Sequence, residues 1–187
     1  MQRLAADRAR LVGQRLGDGR YRVTGEVTLP ASPERVRACL TDVALLRRWA
    51  VGGKVGTRLS GGDGRYTFHF RMSSAMTMTM YGELRVDEPR RVVRHYSDAR
   101  PGSDPGTGQE RIVEYVLEPA LAGTIVRCVY EVDVPGLGDR GGRVVADAEA
   151  ASLAHSLERL AHVAAGRRMP WWRRVFAFVF PKSPMPV

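Results

Sequence analysis

Long apolar runs are missing from this chain of 187 residues. No stretch approaches the 18 or more apolar residues that a membrane-crossing helix needs, so no such helix is expected. Cysteine is scarce. Cys39 and Cys128 are far apart, each inside an apolar pattern, and they read as small buried thiols rather than a disulfide or redox pair. Histidine is scarce as well. His155 and His162 lie seven apart on one predicted helix without a third ligand at metal spacing, so no metal site is expected. There is no Gly-x-Ser-x-Gly nucleophile motif. The glycines at 61, 62 and 64 precede a strand instead of opening a helix, which makes them a hairpin turn rather than a phosphate cradle. No cofactor is implied. Residues 1–19 carry Arg and Asp throughout and lack the apolar centre of a secretory signal, which makes the cytoplasm the expected compartment.

What is present is a composition of 44% hydrophobic and 26% charged residues, that of one globular domain large enough to bury a core. Its net charge of +9 raises the question of nucleic acid, and the distribution argues against it. Residues 167–187 hold Arg167, Arg168, Arg173, Arg174 and Lys182 with no acid, which is +5, so the other 166 residues carry +9 − 5 = +4. A nucleic-acid reader concentrates basic residues on a folded face with aromatics among them. Here the densest charge sits in a short terminal segment beside Trp171, Trp172 and three phenylalanines, a pairing suited to a lipid surface.

Along the chain, residues 4–16 have weak helical periodicity and predict a lead-in helix. Tyr21, Val23, Val27 and Leu29 then alternate with polar residues as a half-buried strand. Ser32 and Pro33 open a short helix through Val36 and Leu40. Asp42 caps a second one with Leu45, Leu46 and Trp49 on its apolar side. A run of strands follows. Tyr66, Phe68, Phe70 and Met72 face one way; Met76, Met78, Met80, Leu84 and Val86 share a face, with Gly82 suggesting a bend or bulge. Residues 92–97 form a strand of undecided facing. Val113, Tyr115 and Leu117, then Val126, Cys128, Tyr130, Val132 and Val134, complete the set. Strands at hairpin spacing without intervening helices form an antiparallel sheet with one apolar face to cover. The cover is a helix over about 143–165, with Ala146, Ala150, Leu153, Leu157, Leu160 and Ala164 as one stripe and Glu158, Arg159 and His162 outward.

This order, with the strand at 21–29, the "ASPERV" step at 31–36, the "LTDVALLRRW" segment at 40–49 and the closing helix, resembles the START-like superfamily of polyketide cyclases, dehydrases and lipid-transport proteins. The resemblance covers roughly residues 20–165. It implies an α+β helix-grip fold, a curved antiparallel sheet of six to seven strands around a long C-terminal helix, with a ligand cavity between them. The domain proper then spans 20–166, and the lead-in helix within 1–19, the Met76/Met78/Met80 run and the tail at 167–187 are departures from a minimal member. Family members bind lipids, sterols, quinones and polyketides; some catalyse cyclisation or dehydration, and no universal catalytic residue transfers.

The residues then point to a carrier of a hydrophobic small molecule. Phe68, Phe70, Met76, Met78, Met80, Tyr115, Tyr130, Leu153 and Leu157 are the expected lining, methionine making a soft and adaptable wall. The alternative is a cyclase or dehydratase in the same cavity, for which Tyr115, Tyr130 and His95 are the candidate catalytic groups. A third is an interaction module. Loops at 99–109 and 135–142 are candidate gates. For the tail, Trp171, Trp172, Arg173, Arg174, Phe176 and Phe178 fit an anionic membrane interface. Docking on the chain's own domain or in a homodimer, or disorder, are the other readings.

Overall fold

The computed structural model describes residues 10–17, 20–50, 58–62, 64–71, 77–102, 110–133 and 138–167. The elements run β1 (Arg10–Gly17), β2 (Arg20–Leu29), α1 (Pro33–Thr41), α2 (Val43–Trp49), β3 (Arg58–Gly62), β4 (Arg65–Arg71), β5 (Thr77–Glu88), β6 (Arg91–Ser97), β7 (Glu110–Ala120), β8 (Gly123–Asp133) and α3 (Gly138–Ala164). All neighbouring strands pair antiparallel in one sheet, ordered β1-β2-β8-β7-β6-β5-β4-β3.

The local signals that start the helices work as anticipated. The Ser32 hydroxyl accepts from the Arg35 amide at 3.3 Å, and Pro33 occupies the first turn of α1. The Asp42 carboxylate accepts from the amides of Ala44 at 2.7 Å and Leu45 at 3.3 Å, satisfying donors that α2 leaves without intrahelical partners. Gly62 and Arg65 face each other across the β3–β4 turn, where Gly64 takes a φ of 77°.

One face of the sheet carries the core: Tyr21, Val23, Val27 and Leu29 from β2, Val113, Tyr115 and Leu117 from β7, and Val126, Cys128, Tyr130 and Val132 from β8 are all buried. From α3, Ala150, Leu153, Leu157, Leu160 and Ala164 are buried against it. Cys39 and Cys128 are free and buried, and burial pushes the Cys128 thiol up to about 12, which keeps it inert.

The structure corrects several expectations. Part of the lead-in segment is not a helix: Arg10–Gly17 is an edge strand on β2, and residues 1–9 lie outside the described residues. An isolated short helix is marginal in water, whereas the edge of β2 offers a full row of hydrogen-bonding partners. This strand and β3 make the sheet eight-stranded rather than six- or seven-stranded.

The closing helix starts at Gly138, not near residue 143. Its Gly142 serves close packing. A Cβ on Gly142 would stand 2.5 Å from the Tyr21 hydroxyl oxygen, so the helix approaches β2 where no larger residue fits. The proposed gate at 135–142 is thus helical from Gly138 onward, and 103–109 of the other gate lie outside the described residues. Arg159 is buried, and its Nη2 donates to the Arg48 carbonyl at 2.8 Å, capping the last turn of α2. Val86 is exposed, because the register of β5 on β6 shifts between Arg85 and Glu88.

Gly82 also differs from expectation, since it marks no bulge. The register runs unbroken through it, Tyr66 opposite on β4 and Tyr96 opposite on β6. A Cβ there would lie 2.1 Å from the Tyr66 ring. The missing side chain leaves room for a phenol.

Candidate functional site

That phenol leans into a cluster of polar groups on the buried face of the sheet. Its centre is Arg94. In β6, Arg91–Ser97, polar residues occupy both faces, and the register decides: Arg94 sits between Leu84 on β5 and Val113 on β7, both inner-face positions. Arg94 is 4% exposed. Its guanidinium carbon lies 5.2 Å from the Trp49 ring centroid, 5.7 Å from that of Tyr66 and 5.8 Å from that of Tyr96. Its Nε donates to the Tyr66 hydroxyl at 3.3 Å, and the Tyr115 hydroxyl also hydrogen-bonds with it. Burial works against the charge, but the surrounding phenol oxygens of Tyr66, Tyr115 and Tyr96 outweigh it and hold the guanidinium above its ordinary value. No carboxylate pairs with Arg94 among the described residues.

Trp49 fixes one wall. α2 delivers it fully buried, its indole Nε1 donates to the Cys39 carbonyl at 2.7 Å, and its ring meets Tyr115 edge-on at 6.1 Å. The signature tryptophan of the 40–49 segment is therefore both a clamp between the two short helices and one face of the Arg94 collar.

A second group adjoins it. Tyr96 and Tyr130 stack at 6.4 Å, and the Tyr96 hydroxyl donates to the Tyr130 hydroxyl at 3.2 Å. Beyond them Arg111, on β7, meets Glu149, on α3, with Nε 3.0 Å from the carboxylate. This part-buried pair ties the sheet to the helix. Desolvation raises the phenol of Tyr115 up to about 12, and raises those of Tyr96 and Tyr130 as well. All three stay protonated at neutral pH. They offer hydrogen bonds to an oxygen-bearing ligand and do not serve as bases.

Of the residues singled out in the sequence, the structure brings Tyr115 and Tyr130 into this cluster, and buries Met80, Leu153 and Leu157 in the core. Phe68, Phe70 and Met78 lie on β4 and β5, with Phe68 opposite Met80 and Phe70 opposite Met78, but their side chains lie outside the described residues. So do Met76 and the tail residues Trp171, Trp172, Arg173, Arg174, Phe176 and Phe178. His95 is on the opposite face to Arg94, about one-third exposed, with Nε2 3.4 Å from Glu110. It is therefore not an inner-face catalytic group, because Arg94 next to it takes the inner position of β6. Arg94, Tyr66, Tyr96, Arg111 and Glu149 were not foreseen as site residues. Among the described residues no group of three or more His, Cys, Asp or Glu is placed to hold a metal, and no helix is long and apolar enough to cross a membrane.

Known proteins share this architecture. A protein of unknown function from Staphylococcus aureus superposes with a TM-score of 0.60 at 14% identity, over 79% of this chain and 94% of its own. A protein from Rhodobacter sphaeroides gives 0.58 at 20% identity, over 86% and 99%. CalU16 from Micromonospora echinospora gives 0.52 at 15%, over 89% of each chain. At such identities the likeness carries the fold alone. No curated protein matches the sequence. The family described as polyketide cyclase / dehydrase and lipid transport matches residues 20–165, from the start of β2 to the end of α3, and the chain belongs to that family.

Proposed function

We propose that the protein binds and carries a hydrophobic small molecule, of the lipid, sterol, quinone or polyketide class, between the inner face of the sheet and α3, at or near a membrane surface. The observation that carries this reading is the Arg94–tyrosine cluster: hydrogen-bond donors set among apolar and aromatic walls, the mix that fixes a ligand's orientation while apolar burial supplies affinity. The tyrosines, held protonated by burial, are donors to a ligand oxygen.

The tail supplies the membrane half of the proposal. As a helix, the segment between Pro170 and Pro181 rises about 15 Å, half the hydrocarbon thickness, so it would lie in the interface rather than span it. Each of the five basic residues of the whole tail, 167–187, adds on the order of 1 kcal/mol near an anionic surface. Transfer of a fluorescent lipid from donor to acceptor vesicles containing anionic lipid tests both halves together. The full chain is expected to speed transfer and to pellet with the vesicles, less so at high salt. A chain ending at Gly166 is expected to bind vesicles weakly and to transfer slowly. Equal pelleting of the two chains removes the tail from the account, and no transfer by either removes the carrier.

A further inference from the structure

An arginine almost fully buried with no carboxylate opposite it among the described residues is uncommon, because a charge taken out of water is stabilised chiefly by an opposite charge. The chain contains its own contrast. Arg111, on the same face of the same sheet, is matched by Glu149. Arg94 instead has ring faces on three sides and two phenol hydroxyls. Rings and phenols lessen the cost of the charge without neutralising it, and a guanidinium keeps its proton under all ordinary conditions. The place is built around a persistent positive charge.

The charge is also held by more than one element. Gly82 has no side chain where a Cβ would strike Tyr66, and Trp49 is fixed by its bond to Cys39, so two of the three rings about Arg94 are set by contacts remote from Arg94 itself. A planar guanidinium in a low-dielectric surround pairs best with a planar two-oxygen anion.

We infer that Arg94 receives the carboxylate of a hydrophobic organic acid, with Tyr66 and Tyr115 donating or accepting beside it and the acid's apolar body lying along the inner face of the sheet. This rests on the carrier reading and narrows it, from hydrophobic molecules in general to those ending in a small anionic head.

The test uses the uncharged fluorophore N-phenyl-1-naphthylamine as reporter of an occupied apolar interior. It is displaced by dodecanoate or by methyl dodecanoate, which differ in charge and little in shape. In the wild type, dodecanoate is expected to displace the reporter at a concentration at least about tenfold lower than its ester, the ratio that one charge-assisted hydrogen bond supplies. In Arg94→Met that ratio is expected to fall to near one, with the ester unaffected. Arg94→Lys keeps the charge without the planar fork, and is expected to keep part of the preference. If the methionine variant does not fold, judged by circular dichroism, the lysine variant decides: a preference left at its wild-type value overturns the assignment.

Equal displacement by acid and ester in the wild type, or an acid preference that survives in Arg94→Met, overturns the inference and leaves the carrier reading standing. A purely structural arginine would change both affinities together. Failure of the reporter, the acid and the ester all to bind overturns this inference, while the carrier reading stands or falls with the lipid-transfer measurement.

Discussion

Trp49→Ala is expected to lose roughly 3–5 kcal/mol of stability, the range for truncating a fully buried large aromatic side chain. The indole is completely buried at the junction of α1, α2 and the sheet. Removing it opens a cavity, leaves the Cys39 carbonyl without the indole donor, and takes one ring from beside the Arg94 charge. Trp49→Phe separates these effects. It keeps most of the apolar contact and loses the N–H, and the unpaired buried carbonyl should cost about 1–3 kcal/mol. Urea denaturation of both variants measures the difference. A loss under about 1 kcal/mol for the alanine variant would mean that the indole does not hold this junction.

The second large effect lies on α3. Leu157→Ala is expected to cost roughly 2–5 kcal/mol, since Leu157 is fully buried in the stripe that covers the sheet, between Leu153 and Leu160. The same truncation at Val144, which is 68% exposed on the same helix, is expected to change stability by less than about 0.5 kcal/mol. Equal losses at the two positions would contradict the packing of this helix on the sheet.

The fold was largely legible because its signals are local and periodic. Alternation marked β2, β7 and β8, a stripe of small and large apolar residues marked α3, and Ser32 and Asp42 marked the helix starts through side chains that bond amides two or three residues away. What failed depends on partners distant in sequence. β1 is a strand because β2 has an edge to fill, which nothing within residues 4–16 expresses. The glycines of α3 read as a turn, and only the neighbouring Tyr21 shows why a helix keeps Gly142.

The site was half legible for the same reason. Tyr115 and Tyr130 fell at inner positions of clean alternations. Arg94 sits in Arg-Val-Val-Arg-His-Tyr-Ser, where neither face is apolar throughout and period two gives no answer. A charged residue in a strand ordinarily reads as solvent-facing, so nothing local in the sequence marks Arg94 or Arg111 as inner-face residues. The pairing of Arg94 with Leu84 and Val113 settles the facing, and that register is a property of the assembled sheet.

The central claim is that this fold holds a hydrophobic molecule inside. Its most direct measurement is mass spectrometry of the purified full-length chain, first under native conditions and then after solvent extraction. The account predicts a non-covalent adduct on the native protein and, in the extract, an intact hydrophobic compound. That compound should persist through gel filtration and leave when the protein is unfolded. A native mass equal to the bare chain, together with no saturable uptake when lipids, sterols, quinones and hydrophobic acids are offered, would contradict it.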